Sequence, residues 1–256
     1  MDTRLKKIIL ESGNNLHLEV VKTLEEKDWQ VDLSAYYYDD TANKPREIDI
    51  VARKKIRYIP SQRGKPITDW RPYTFQVFLF IECKYFKNEI AFRIHPTTRN
   101  KEAVACEGMN KDEVLEDVGN LHHYLKVSSI AQLYDTIDQD AVFNAITQPV
   151  KSLTFFKDRQ GAQGLYYPIT IYSGIDGVYA LHGKKQTEEN LDALKLEDYT
   201  IVGLDYSYRS PVSQQLRTNY FFVDFLHKDR LSDLLKTIDN ETQAVASHLG
   251  KALSGN

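Results

Sequence analysis

The apolar run over residues 75–84, FQVFLFIECK, ends by presenting an acid and a base, Glu82 and Lys84, two residues apart. In a β-strand, side chains at positions i and i+2 point to the same face of the sheet. The run therefore predicts a buried strand that delivers a carboxylate and an ammonium side by side at its end. Because burying unpaired charge is costly, the pair indicates either a structural salt bridge or a site that does chemistry.

The spacing of this acid and base does not distinguish the two possibilities. Triplets of an acid, any residue and a base also begin at Asp2, Glu25 and Asp69, but the triplet at Glu82 is the one that follows a long apolar run. A plain salt bridge at the end of a strand and a catalytic pair are both compatible with the triplet alone. The surrounding sequence has to decide between them.

Two further carboxylates precede this strand. Residues 47–52, EIDIVA, alternate acids with apolar side chains, which predicts a strand whose polar face carries Asp49. Residues 16–29, LHLEVVKTLEEKDW, have the spacing of an amphipathic helix, and Glu19 lies within its apolar side. A glutamate in that position is either a solvated residue at the edge of the helix face or an inward-pointing ligand.

These residues lie on four elements in a fixed order: the helix with Glu19, a strand over 29–37, the strand with Asp49 and the strand that ends at Lys84. The order resembles the PD-(D/E)XK nuclease superfamily, whose fold is called restriction-endonuclease-like. The resemblance covers residues 13–85. It implies an α/β protein with a three-layer α/β/α core around a central mixed sheet, elaborated by additional C-terminal strands and helices.

The resemblance also implies a role for each residue. Asp49 and Glu82 would bind Mg²⁺, with Mn²⁺ as an alternative, together with the backbone carbonyl of Cys83 and several waters. Lys84 would orient the attacking water and stabilise charge on the transition state. Glu19 would bind a second metal or the hydration shell of the first. The expected activity is hydrolysis of phosphodiester bonds in nucleic acid, with DNA as the expected substrate, in restriction, phage defence or repair.

Two features depart from the family pattern. Ile48 stands where the family has a proline before the aspartate. The gap between Asp49 and Glu82 is longer than a hairpin connection needs, so residues 54–73 are expected to loop out as an insertion. Glu47 and Asp69 remain alternative partners for Glu82.

The insertion is rich in basic and aromatic residues. Basic side chains neutralise phosphates, and aromatic faces stack on unpaired bases. One interpretation is a nucleic-acid contact beside the scissile phosphate, and the other is a solvated loop whose aromatic residues pack back onto the domain. The candidate phosphate contacts are Lys54, Lys55, Arg57, Arg63, Lys65 and Arg71.

Composition limits the remaining possibilities. The chain has 256 residues and a net charge of -3, so a nucleic-acid surface must be local. We expect one elaborated domain over 1–256, with a core over 1–165 and an extension over 166–256. Two cysteines, Cys83 and Cys106, favour a reducing cytoplasm. No membrane span or NTP-binding loop is expected, and the family resemblance adds a homodimer as a possible partner.

The rest of the chain predicts further elements. Helices are expected over 112–124, continuing towards 138, over 141–155 with a break near Pro149, and over 229–249. Strands are expected over 166–172, 177–181, 200–208 and 220–226. His122 and His123 are adjacent, so on a helix they would diverge by about 100° and make a poor shared metal site. His17 is assigned a structural role.

Three functional hypotheses follow. The first is a metal-dependent nuclease that uses Asp49, Glu82 and Lys84 with Glu19. The second is a catalytically inactive module of the same fold that binds nucleic acid or a partner protein, although intact catalytic residues argue against decay. The third is a structural α/β protein in which Glu82 and Lys84 form a simple ion pair.

Overall fold

A computed structural model describes residues 13–58, 73–107, 122–161, 164–182, 196–210 and 212–252. This part of the chain folds into three α-helices and eleven β-strands. The helices are α1 (Gly13–Glu25), α2 (Gln139–Gln160) and α3 (Leu231–Ala252). The strands are β1 (Gln30–Asp39), β2 (Lys44–Tyr58), β3 (Tyr73–Tyr85), β4 (Ala91–Pro96), β5 (Cys106–Glu107), β6 (Ser129–Asp135), β7 (Gly164–Ser173), β8 (Val178–His182), β9 (Leu196–Glu197), β10 (Tyr199–Arg209) and β11 (Leu216–His227).

All eleven strands belong to one mixed sheet, with the order β1-β2-β3-β7-β11-β10-β6-β4-β8-β9 and with β5 paired to β7. Strands β1, β2 and β3 are antiparallel neighbours. Strands β3, β7 and β11 run parallel to one another, so their carboxyl ends meet at one edge. The predicted α/β class is confirmed, and β7, which begins at residue 164, pairs with β3 in the middle of the sheet.

Apolar side chains cover both faces of this sheet. Every residue of β7 from 164 to 172 is buried, as expected for a parallel strand with helices on both sides. Helices α1 and α3 pack on one face through residues such as Leu24 and Ile238, and α2 packs on the other through residues such as Val150. Polar side chains of the central strands therefore reach solvent at the strand ends. None of the three described helices is long and apolar enough to cross a bilayer.

Helix α2 runs through Pro149 without a break, so the predicted interruption is wrong. Proline has no backbone N–H to donate to the carbonyl four residues earlier, which here belongs to Ala145. That carbonyl instead accepts a hydrogen bond from the Thr170 hydroxyl of β7 at 2.7 Å. The sheet thus satisfies the acceptor that the proline leaves open, and the bond fixes α2 against the centre of β7.

The predicted strands of the C-terminal region are confirmed as β7, β8, β10 and β11, and the last predicted helix is confirmed as α3. The predicted continuation of a helix from residue 124 towards 138 is wrong, because a 3₁₀ turn at His123–Lys126 leads into strand β6. Strand β6 pairs with β4 and β10, and this sheet pairing replaces the helix. Residues 112–121 of the predicted helix lie outside the described residues.

The described part of the expected insertion after Asp49 belongs to paired strands. Strand β2 continues to Tyr58 and β3 begins at Tyr73, and these two residues are paired. Residues 54–58 therefore extend the sheet rather than loop out, which corrects the expectation, and residues 59–72 lie outside the described part. Paired strand accounts for much of the distance in sequence between Asp49 and Glu82.

Candidate functional site

The candidate site forms where β2 and β3 separate. The last paired residues before the separation are Ile50 and Ile81. One residue beyond them, the Asp49 carboxylate accepts a hydrogen bond from the backbone N–H of Cys83 at 2.8 Å. The Asp49 side-chain oxygen thus accepts the hydrogen bond that a backbone carbonyl of β2 would accept if the two strands stayed paired. This bond holds Asp49 beside the part of β3 that carries Glu82 and Lys84.

Glu82 and Lys84 lie together at the carboxyl end of β3. The Lys84 Nζ donates to Glu82 Oε1 at 2.9 Å. The Glu82 residue is 2% exposed, whereas the Lys84 side chain is 34% exposed. The Glu82 carboxylate therefore lies at the buried end of the site, and the Lys84 ammonium lies at its partly exposed end.

The positive charge of Lys84 does not fully compensate the Glu82 carboxylate, although the two side chains are hydrogen-bonded. Burial and the neighbouring Asp49 raise the pKa of Glu82 to about 7, against the opposing influence of Lys84 and His17. The side-chain amide of Gln148, on α2, faces this carboxyl. With its nitrogen turned towards Glu82, it donates to both oxygens and lies 2.7 Å from Oε2. Additional positive charge at this position would stabilise the ionised carboxylate.

His17 is the residue of α1 that reaches the site. Its Nε2 lies 3.0 Å from Asp49 Oδ2, and both side chains are partly exposed. The hydrogen bond to Asp49 raises the pKa of His17, and burial opposes this. Donor atoms of His17, Asp49 and Cys83 lie within 4.8 Å of one another. Burial raises the pKa of the Cys83 thiol, which favours the protonated, non-ligating form. The side chains of this group that can ligate a metal are therefore the His17 imidazole and the Asp49 carboxylate.

Glu19 lies elsewhere. Its carboxylate accepts a hydrogen bond from Lys228 at 2.7 Å, and its side chain is 47% exposed. Residues two positions apart point about 200° apart around a helix, so α1 cannot direct both His17 and Glu19 towards Asp49. The structure brings Asp49, Glu82 and Lys84 together and places His17, rather than Glu19, beside them. We call these four residues, Asp49, Glu82, Lys84 and His17, the Glu82 cluster.

The candidate phosphate contacts that the structure describes, Lys54, Lys55 and Arg57, are distant from this cluster. The Lys54 ammonium contacts Asp239 at 3.1 Å and the carbonyl of Lys27 at 3.2 Å. Lys55 and Arg57 are exposed. At about 3.3 Å per residue they lie roughly 20 and 26 Å along the strand from Asp49. This corrects the expectation that they lie beside the scissile phosphate.

Other predicted residues fall outside the cluster or outside the described chain. Glu47, an alternative partner of Glu82, is exposed and forms a hydrogen bond with Tyr36. The other alternative, Asp69, lies outside the described residues, as do Arg63, Lys65 and Arg71.

Sequence reasoning missed His17, which belongs to the cluster, and Gln148, which contacts it. His17 stands next to the buried Leu16 on the apolar side of α1, and an imidazole at such a position was the available signal. Gln148 precedes Pro149 in the middle of a helix, and no local pattern distinguishes it from a solvated glutamine. Both residues reach the cluster through helix packing.

Comparison of the chain with models of protein families, with curated proteins and with solved structures found no match. Two carboxylates, an imidazole and a partly exposed ammonium converge at the end of a buried strand. Such a set can bind a divalent cation and an anionic substrate together.

Proposed function

We propose that this chain is a Mg²⁺-dependent nuclease of the PD-(D/E)XK class that hydrolyses phosphodiester bonds in nucleic acid. The observation that carries the proposal is that Asp49, the buried Glu82 carboxyl and Lys84 come together where β2 and β3 separate; burial and Asp49 also raise the pKa of Glu82 to about 7. Perturbed carboxyls next to a partly exposed cationic side chain are typical of functional sites.

The arrangement of elements supports the restriction-endonuclease-like core. Helix α1 is followed by the antiparallel strands β1, β2 and β3, and α2 then precedes β7, which pairs parallel to β3. Helices cover both faces of this sheet. The cluster lies at the carboxyl ends of β3 and β7, and open α/β sheets bind ligands at such edges.

The donor set fits a hard divalent cation. Asp49 and Glu82 offer carboxylate oxygens, and Mg²⁺ is commonly bound by one or two carboxylates with water and phosphate completing its shell. The N–H and C=O of one strand residue point to the same side, and the Cys83 N–H faces Asp49. Its carbonyl is therefore directed to the same side, past the last paired residues of β2. When bound, the cation would polarise the phosphate and activate a water molecule.

Each side chain then has a defined role in hydrolysis. Lys84, held by Glu82 at 2.9 Å, orients the attacking water and stabilises negative charge on the phosphate oxygens. Gln148 positions the Glu82 carboxylate. His17 positions Asp49 through Oδ2, and its imidazole nitrogen is a better ligand for the transition metal Mn²⁺ than for the harder Mg²⁺.

The proposal is tested with wild-type protein, Asp49→Ala and Lys84→Ala on plasmid, linear double-stranded and single-stranded DNA and on RNA. Each substrate is incubated with Mg²⁺, with Mn²⁺ and with EDTA. We expect cleavage that requires the metal and disappears in both variants. Glu47→Ala is the matched control for Asp49→Ala, because this exposed acid lies two residues away on the same strand, and it should cleave normally.

The outcomes separate the alternatives. Cleavage that persists in Asp49→Ala or in EDTA would contradict the assigned site. Absence of cleavage of every substrate, with nucleic acid still bound, would instead support a binding module of the same fold.

A further inference from the structure

A second group of ionisable residues is buried on the sheet. His123, in the 3₁₀ turn His123–Lys126, lies between two carboxylates. Its Nε2 is 3.1 Å from Asp224 Oδ1 on β11, and its Nδ1 is 3.0 Å from Glu241 Oε1 on α3. Asp224 is fully buried, and Glu241 is 7% exposed. One imidazole therefore joins a central strand to the C-terminal helix.

Tyrosine hydroxyls complete the contacts of these carboxylates. Asp224 accepts from Tyr124 at 2.7 Å and from Tyr199 at 2.8 Å. Glu241 accepts from Tyr167 at 3.0 Å. With His123, Asp224 has three side-chain partners, whereas Glu241 has two. The carboxylate of Glu241 is thus the one with capacity for another ligand.

His122 lies next to this group, contrary to the expectation that the adjacent histidines diverge. That expectation assumed a helix, but the backbone of His122 is extended, with φ -78° and ψ 129°. Its ring stacks on Tyr167 with 4.5 Å between centroids, and 5.2 Å separates it from the His123 ring. His122 Nε2 is buried and has no hydrogen-bond partner among the described residues.

We infer that His122, His123 and Glu241 form a binding site for Zn²⁺. One donor atom of each residue lies within 4.8 Å of a donor atom of the other two. Two imidazoles and one carboxylate are a ligand set that Zn²⁺ accepts, with a fourth position left for water. We call these three residues and Asp224 the His123 cluster.

The spacing between His123 and Glu241 already suits a shared cation. Two tetrahedral ligands at zinc bond lengths stand about 3.3 Å apart, and the Nδ1 to Oε1 distance is 3.0 Å. The cation would replace the proton that these two atoms share. Its two positive charges would balance the carboxylates of Asp224 and Glu241.

Neighbouring groups would hold the ligands in place. Asp224 accepts the Nε2–H of His123, which directs Nδ1 towards the cation, and Tyr167 orients Glu241. Coordination through His122 Nε2 leaves the ring proton on Nδ1, so the long 3.3 Å contact from the Tyr124 N–H would be lost. His123 also lines a cleft of about 420 Å³ next to Lys126 and Ser129, which provides a path for entry.

The test measures metal binding directly and does not depend on nuclease activity. The protein carries Asp49→Ala, which disables the Glu82 cluster, and the metal-free form is titrated with Zn²⁺ in a calorimeter. Co²⁺ serves as a spectroscopic probe, because a tetrahedral site gives intense visible absorption. We expect one equivalent of Zn²⁺ and a tetrahedral Co²⁺ spectrum. A folded protein that binds neither metal would overturn the inference, whatever the outcome for cleavage.

Two variants and one control assign the ligands. His122→Phe keeps a ring against Tyr167 but removes the donor, and Glu241→Gln keeps the shape of the side chain. Each should weaken Zn²⁺ binding by roughly 100-fold or more, since even indirect contacts change affinity by 10- to 100-fold. His182→Phe is the control, because His182 lines the same cleft but its side chain is 71% exposed.

Circular dichroism establishes whether each variant is folded. Unchanged Zn²⁺ affinity in a folded His122→Phe or Glu241→Gln protein would overturn the assignment and would indicate an adventitious ion only. If one variant fails to fold, the other decides. If both fail to fold, the Co²⁺ spectrum of the parent protein decides, because an octahedral spectrum would overturn the proposed four-coordinate site.

Discussion

The Glu82 cluster and the His123 cluster both bury carboxylates against one sheet, and they differ in whether the protein balances that charge. Burial and Asp49 raise the pKa of Glu82 to about 7. A large fraction of this carboxyl is therefore uncharged near pH 7. Burial lowers the pKa of His123, but the two carboxylates beside it raise the pKa to about 10, so it remains charged between them. In the metal-free protein the Glu82 carboxyl therefore lacks a full countercharge, whereas Asp224 and Glu241 share the imidazolium of His123.

The largest expected effect comes from removing the Asp224 carboxylate from the His123 cluster. Asp224, which is fully buried, is the shared acceptor of His123 and two tyrosines, and Asp224→Asn leaves these three side chains without their carboxylate. Removal of one partner of a buried pair typically lowers stability by about 3–5 kcal/mol. We expect that loss in urea denaturation of metal-free protein at pH 7. A loss below about 1 kcal/mol would contradict the view that this cluster stabilises the fold.

Removal of the Lys84 ammonium from the Glu82 cluster should instead affect catalysis. The Lys84 side chain is 34% exposed, so Lys84→Ala should fold normally. Loss of a group that stabilises transition-state charge typically slows the reaction by roughly 10²–10³-fold. Single-turnover cleavage with Mg²⁺ measures this rate. Lys87→Ala is the control, since Lys87 is exposed three residues further along the chain. Equal rates in the two variants would remove Lys84 from the mechanism.

Replacement of Glu82 by an uncharged residue should stabilise the metal-free protein. The folded-state pKa of Glu82 is raised from 4.5 to about 7. Below about pH 7 the neutral acid therefore predominates in the fold, and stability is lost as pH rises from 4.5 through 7. Glu82→Gln should raise the unfolding free energy by up to about 3 kcal/mol at pH 8 and by little at pH 4. Urea denaturation in EDTA measures both values, and a gain independent of pH would contradict the assigned cause.

Substitution of His17 should give the smallest effect of the four. His17→Ala removes the imidazole that contacts Asp49 at 3.0 Å, and loss of such an orienting contact typically costs about 10- to 100-fold. We expect cleavage with Mn²⁺ to fall more than cleavage with Mg²⁺, because imidazole favours the softer metal. Glu19→Ala is the control on the same helix. An unchanged ratio of the two rates would exclude His17 as a metal ligand.

Local patterns predicted the parts of the site that lie on one strand. The apolar run before Glu82 defines a buried strand, and its period of two places Lys84 on the same side as Glu82. Asp49 was also recognised from the alternation around it. The pairing of β2 with β3 then brings Asp49 to Cys83, which no short segment encodes.

Residues that reach the site from helices could not be predicted in the same way. A choice between His17 and Glu19 depends on the rotation of α1 about its axis, which packing against the sheet determines. Gln148 depends on the path of α2 past Pro149, and a hydrogen bond from Thr170 on β7 supports that path. Strands β4 and β6 are short, and their pairing with distant strands is what makes them strands.

The central claim is that the Glu82 cluster cleaves nucleic acid with a divalent cation. The most direct test compares plasmid nicking by wild-type and Glu82→Gln protein in Mg²⁺ and in EDTA, with folding checked by circular dichroism. We predict nicking by the wild-type protein in Mg²⁺ alone and none above background with Glu82→Gln. Equal nicking by both proteins, or nicking by the wild-type protein in EDTA, would contradict the claim.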